Sequence, residues 1–223
     1  MRRTRFGSMK GIMDMNATAT ELESIFSRSL SCLEETDRRR LLGDFRKKFP
    51  ASLSVASVAG LFPFFLANRK WPASQGFVPE LAALEWSLRL AEQAPEMATQ
   101  GFERVTTATE PQWFSAQFRF DPAHAVMTSD WPLDEIFADP CRFHERRPGK
   151  YLIFRAEGRP QVRSLDENEA RLLEALSLGV PLGVILERPN GPEFDAFLFH
   201  EWIQSGLLRS IHWAETATHT DAC

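Results

Sequence analysis

Residues 150–179, KYLIFRAEGRPQVRSLDENEARLLEALSLG, hold two different periodicities back to back. A chain satisfies both only as a strand pair that feeds directly into a helix. Tyr151, Ile153 and Arg155 alternate with Leu152 and Phe154, Glu157-Gly158 marks a turn, and Gln161 to Leu165 resumes the extended pattern, which predicts a β-hairpin. Asp166 then precedes Glu169 at capping-box spacing, Leu165, Leu172, Leu173 and Leu176 share one side, and Gly179 followed by Pro181 ends the helix. Such a unit reads nucleic acid when its helix is basic, or captures a peptide when a sheet edge stays open.

The chain before Gly101 is helical in pattern. Leu22, Ile25, Phe26, Ser29, Leu30 and Leu33 follow helical spacing behind a Thr20/Glu23 cap signal. A second helix runs from Asp37 to Phe49, with Leu41, Leu42, Phe45 and Phe49 inward and the basic triplets Arg38–Arg40 and Arg46–Lys48 as solvated faces, and Pro50 breaks it. The apolar run between Val55 and Leu66 predicts a short buried helix kinked at Pro63. Pro79 opens a helix that ends at Pro95, and Glu85 beside its Leu81, Leu84, Leu88 and Ala91 stripe predicts a buried carboxylate that ties neighbouring helices together. After Gly101 the period changes: Phe114–Phe120 and Ala123–Thr128 alternate on either side of Asp121-Pro122, LDEIFA makes a turn of helix, and residues 140–149 form a charged connector. A helix from Glu193 to Ser205 and a strand from Leu207 to Trp213 close the pattern. The expected class is α+β: a disordered leader over 1–17, a helical domain over 18–100, a mixed α+β module over 101–213, and a flexible tail over 214–223.

The net charge of −4 offers no global attraction to phosphate backbones. A winged-helix DNA-binding regulator is the natural rival for a hairpin-helix module, yet Asp166, Glu167, Glu169 and Glu174 oppose a single Arg171 on one candidate helix, and Glu193, Asp195 and Glu201 face no Lys or Arg on the other. Nucleic acid is not the expected partner. Cys32, Cys141 and Cys223 are odd in number and far apart, Cys141-x-x-His144 lacks two further ligands nearby, and no nucleophile elbow, Walker loop or dinucleotide fingerprint occurs. No metal site and no catalytic centre is expected in this chain. The basic amino terminus has no apolar core, and the Asn16-Ala17-Thr18 triplet is a chance glycosylation match, so neither export nor a membrane span is indicated and the cytoplasm is the expected location.

The run FVPELAALEW (Phe77–Trp86), the block FRFDPAHAVMTSDWPLDEIFA (Phe118–Ala138) and YLIFRAEGRPQVRSLDENEARLLEAL with the later WIQSGLL resemble, in order, the HvfC/BufC family, which carries a DNA-binding-domain label. The resemblance implies a helical amino-terminal region followed by a winged-helix-like, peptide-recognition module. It further implies a non-catalytic subunit that forms a heterodimer with a multinuclear non-heme iron-dependent oxidative enzyme and holds the leader of a ribosomally made precursor peptide while that enzyme modifies a cysteine. The irons would be the enzyme's, with no cofactor in this chain. The helical region is shorter than in the longer members and lacks their Arg/Tyr/Asn-rich helix before the Phe-Pro segment, which makes the sequence more similar to the compact 3-thiaglutamate-type subunits. The leader would add as an extra strand to an open sheet edge. Two edges are candidates: Phe118, Arg119 and Phe120 with Val126 and Met127, or Tyr151 and Ile153 through Arg155. Arg155 and Arg163 would pair with acidic leader residues.

Overall fold

The computed structural model describes residues 20–49, 53–142 and 144–213. The leader over 1–17, the Asn16 triplet, the break at Pro50 and the tail over 214–223 with Cys223 lie outside them. The fold is α+β, with helices first and antiparallel strands later. Contacts divide it into two compact units: residues up to Arg89 together with Ser129–Gly149, and Leu90–Thr128 together with Lys150 onward. This differs from a single boundary near residue 100, because the stretch that follows the second strand returns to the helical unit.

In the first unit, residues 20–25 are helical, Phe26 leaves the helix with ψ 38°, and α1 (Ser27–Ser31) resumes. Helix α2 (Glu35–Lys47) carries Glu35 and Asp37 in its first turn and Arg46 and Lys47 in its last, the arrangement that favours its dipole, and buries Leu41, Leu42 and Phe45. The apolar run becomes three pieces instead of one kinked helix. Ser54 caps α3 (Val55–Val58) by accepting from the Ser57 amide at 3.3 Å, a tight turn spans Ala59–Leu61, and α4 (Phe62–Ala67) starts with Pro63 in its first turn. Proline has no amide to give to a continuing helix, so Pro63 opens one where no donor is needed. Phe62 stands 4.7 Å from Phe26 and 5.0 Å, edge-on, from Phe45, which places aromatic rings at the centre of this core.

Helix α5 (Val78–Gln93) supplies the polar ties of the unit. Glu85 is 6% exposed and accepts from the Arg28 amide at 2.7 Å, the Ser29 amide at 3.0 Å and the Ser29 hydroxyl, so it satisfies donors at the start of α1 that would otherwise be orphaned in the core. That is the tying role its position predicts. Glu80 similarly accepts from the Ser129 hydroxyl and from the Asp130 amide at 3.1 Å, Trp131 packs edge-on to Phe77 at 5.8 Å, and Arg28 stacks over Phe137 at 4.2 Å. These contacts recruit 129–149, with its helix α7 (Leu133–Ala138), to the helical unit.

The second unit has helix α6 (Glu110–Ser115) and five strands: β1 (Gln117–Phe120), β2 (Ala125–Ser129), β3 (Gly149–Ala156), β4 (Arg159–Leu165) and β5 (Leu208–His212). Phe114 and Ser115 belong to α6, so the strand expected from Phe114 begins only at Gln117. The predicted hairpin is present: β3 and β4 pair from Lys150↔Leu165 to Ala156↔Arg159, and Glu157 and Gly158 both take positive φ, as a two-residue turn between right-twisted strands requires. The strands form two sheets, β1-β5 and β2-β3-β4. Helix α8 (Glu167–Ser177) follows the hairpin at once; Asp166 caps it by accepting from the Glu169 amide at 2.7 Å, and Gly179 turns left-handed after it. Only half of the expected capping box forms, because the Glu169 carboxylate goes to Arg163 and Trp202. Helices α9 (Leu182–Leu186) and α10 (Ala196–Gln204) close the core around the fully buried Trp202.

Burial pushes the Glu85 carboxyl above its ordinary 4.5, against the opposing pull of its hydrogen bonds. Between the ordinary value and the raised one the folded chain holds the proton more tightly than the unfolded chain, so stability falls as pH rises through that window. Glu85→Gln should remove that fall, and chemical denaturation of both forms from pH 4 to pH 8 measures it; parallel curves would refute the assignment.

Candidate peptide-binding edge

Strand β1 is short, and Ala116 just before it accepts from the Leu182 amide at 3.0 Å. Ile211 donates its amide to the Gln100 carbonyl at 3.2 Å, and Gln100 donates to the Arg209 carbonyl at 3.1 Å, so the odd residues of β5 point away from β1 and its even residues point toward it. In the Phe118↔Ile211 and Arg119↔Ser210 register, alternation then turns the main-chain groups of Phe118 toward the outer edge of β1. Among the described residues, β1 pairs with no strand but β5. Gly101 makes the Gln100 contact possible: its φ is 82°, and a Cβ there would run into the Ile211 carbonyl.

Beside this edge lies a cleft of about 320 Å³, lined by Met97, Phe118, Arg119, Phe120, Pro122, His124 and the end of α8 at Ser177, Leu178 and Gly179. The side chains of Phe118 and Phe120 point into the core, where Phe118 meets Phe199 at 5.2 Å and Phe120 meets Trp202 at 5.5 Å. Arg119 alternates outward and is exposed, and Leu178 is 78% exposed across the cleft. His124 is oriented by the Asp121 carbonyl, 2.5 Å from Nδ1, and by the Ser177 hydroxyl, 3.4 Å from Nε2. An exposed cation and an apolar wall beside a strand together suit a peptide segment with an anionic and an apolar side chain.

Asp121 fixes this edge. The residue is fully buried directly after β1, and its Oδ1 accepts from the Ala123 amide at 2.8 Å and from Arg155 at 3.4 Å. Its Oδ2 accepts from Arg209 Nε at 2.6 Å, and its own amide donates to the Leu207 carbonyl at 2.8 Å. Arg155 in turn donates to the carbonyls of Ala94 at 2.7 Å and Pro95 at 3.2 Å. One carboxylate therefore holds the β1–β2 turn, β3 and β5 in place. The sequence marks Asp121-Pro122 only as a turn; nothing in one-dimensional spacing says that two arginines 34 and 88 residues away will meet it.

The remaining expected site residues fall differently. Strand β3 lies between β2 and β4, so the edge expected at Tyr151 to Arg155 is already paired on both sides, and Tyr151, Ile153 and Arg155 are buried. Arg155 is spent on Asp121. Arg163 makes a double contact with Glu169, with Nη1 to Oε2 at 2.8 Å, and this carboxylate holds the guanidinium more firmly charged than usual. Both arginines therefore have internal carboxylates as partners. Val126 and Met127 are half-buried on β2, at the margin of the three-stranded sheet and apart from β1. Arg119, His124 and Leu178 remain as the outward groups of the cleft; of these, the sequence reading named Arg119 alone.

The Cys141/His144 pair does not converge on a ligand set: His144 is buried against Phe77 and its Nε2 meets the Asp139 carbonyl at 2.8 Å. Cys32 is pushed up to about 11, chiefly by burial, and is a poor nucleophile at neutral pH. Among the described residues no three His, Cys, Asp or Glu side chains gather as metal ligands, and no helix is long and apolar enough to cross a membrane. No protein-family model and no curated protein matches the sequence.

Removing the Asp121 carboxylate leaves a buried arginine without its charge partner. Asp121→Ala should cost about 3 kcal/mol of stability or more, read as a lowered denaturation midpoint. A loss under about 1 kcal/mol would show that the network contributes little.

Proposed function

We propose that this chain is a non-catalytic recognition subunit that binds the leader of a ribosomal precursor peptide and presents its cysteine to a partner oxidative enzyme. The observation that carries the reading is the cleft beside β1, with the exposed Arg119 and Leu178 in its lining. The leader lies along the cleft beside β1: Arg119 pairs with a leader carboxylate, and an apolar leader side chain enters between Phe120, Pro122 and Leu178. Asp121 supports this by keeping the edge rigid, so less ordering entropy opposes binding.

The partner is a multinuclear non-heme iron-dependent enzyme, joined to this chain as a heterodimer in the cytoplasm. Its irons carry the oxidation, and this chain's share is to bind and orient the peptide. The resemblance to the HvfC/BufC family, and within it to the compact 3-thiaglutamate-type subunit TglI, supports this assignment. The winged-helix regulator has less in its favour, because Arg155 and Arg163 face internal carboxylates and leave Arg159 as the outward cation of the hairpin.

The test is leader binding. Precursor leaders encoded beside this chain's gene are titrated by fluorescence anisotropy at moderate salt, and the neighbouring iron enzyme is assayed for co-purification. Arg119→Glu, at an exposed position, should weaken leader binding about ten-fold or more without lowering the unfolding temperature. Tight, strongly salt-dependent binding of duplex DNA with no leader binding would overturn the proposal.

A further inference from the structure

The second unit carries another surface that the strand edge does not use. Trp113, Phe114, Leu186, Phe199 and Ile203, on α6, α9 and α10, line an apolar cleft of about 420 Å³ whose mouth includes Ala196. Phe114 also lines a second depression, which runs on between α6 and α9 past Val184. Large apolar groups stay uncovered there: Phe114 is 39%, Val184 50% and Phe194 37% exposed, and Phe194 lies 5.7 Å from Phe199. Contiguous apolar surface of this kind marks an interaction site more often than a free surface.

Charge selects the occupant. The ionisable side chains that line the paired depressions are Glu110 and Glu187, exposed carboxylates for which no ion pair is described, and the exposed His200; the exposed Arg188 follows Glu187 in the chain. Glu193 and Asp195, also exposed, flank Phe194 in the chain, and the Asp195 carboxylate accepts from the Phe197 amide at 2.8 Å as the cap of α10. Carboxylates beside an apolar floor disfavour anionic lipid and acidic peptides, and they attract a segment whose apolar face is bordered by Lys and Arg. We propose that this cleft docks the apolar face of a basic amphipathic helix of a partner protein, with large apolar side chains one turn apart entering beside Phe114 and Phe199. The preference is opposite in sign to that of the β1 edge with its Arg119, so the two surfaces sort their partners by charge. This inference does not depend on the leader-binding reading.

The probe is a labelled synthetic peptide with Leu on one helical face and Lys on the other, titrated by anisotropy against the full chain; a matched peptide with Glu in place of Lys is the comparison. The Leu/Lys peptide should bind at least about ten-fold more tightly than the Leu/Glu peptide. Ala196→Trp, which fills the mouth from an exposed position, should abolish binding at an unchanged unfolding temperature, and E110Q/E187Q should weaken it and flatten its salt dependence. Should Ala196→Trp unfold the chain, Val184→Lys gives the same readout. Arg119→Glu should leave this binding intact while weakening leader binding, which separates the two proposals. Equal affinity for both peptides, binding indifferent to Ala196→Trp and Val184→Lys, or cleft-dependent self-association or zwitterionic vesicle binding in place of peptide binding would each overturn the inference.

Discussion

A fully buried carboxylate between two arginines governs the second unit. Asp121 cannot stay charged in an apolar interior without partners, and the ones it has belong to β3, β5 and the turn toward β2. Two small sheets with four and eight residues in strands such as β1 and β3 have little ladder energy of their own, so a shared charge site is an effective way to set their positions. The arrangement also holds β1: its end is fixed by Asp121 and its side chains by Phe199 and Trp202.

A second buried carboxylate of this unit repeats the principle. Glu169 accepts from Trp202 Nε1 at 3.0 Å and from both amino groups of Arg163, tying β4, α8 and α10. The hairpin arginines that look from sequence like a basic edge are thereby turned to internal use, and the outward charge pattern changes accordingly. What remains is the exposed Arg119 in the cleft beside β1, and the Glu110 and Glu187 carboxylates beside Phe114.

In the helical unit, Glu85 and Glu80 act in the same manner through main-chain amides and hydroxyls. Glu85 was legible because a carboxylate next to a Leu stripe has to find donors. The recruitment of 129–149 by Glu80, Phe77 and Trp131 was not legible: the connector's composition is polar, and a chain that leaves one unit and returns to another leaves no periodic trace.

The amino-acid order by itself determined the α+β class, the β3–β4 hairpin with its Glu157-Gly158 turn, the Asp166 cap and the apolar stripes of α2, α5 and α8, because each depends on neighbours within a few residues and on periods of two or 3.6. Tertiary structure alone decided that β3 is central and that β1 pairs with β5, that Arg155 and Arg163 answer Asp121 and Glu169, and that Phe114 and Phe199 border a cleft. Strand order and charge pairing are set by which distant segments bury surface together, and that competition is settled across the whole chain, beyond the reach of any local pattern.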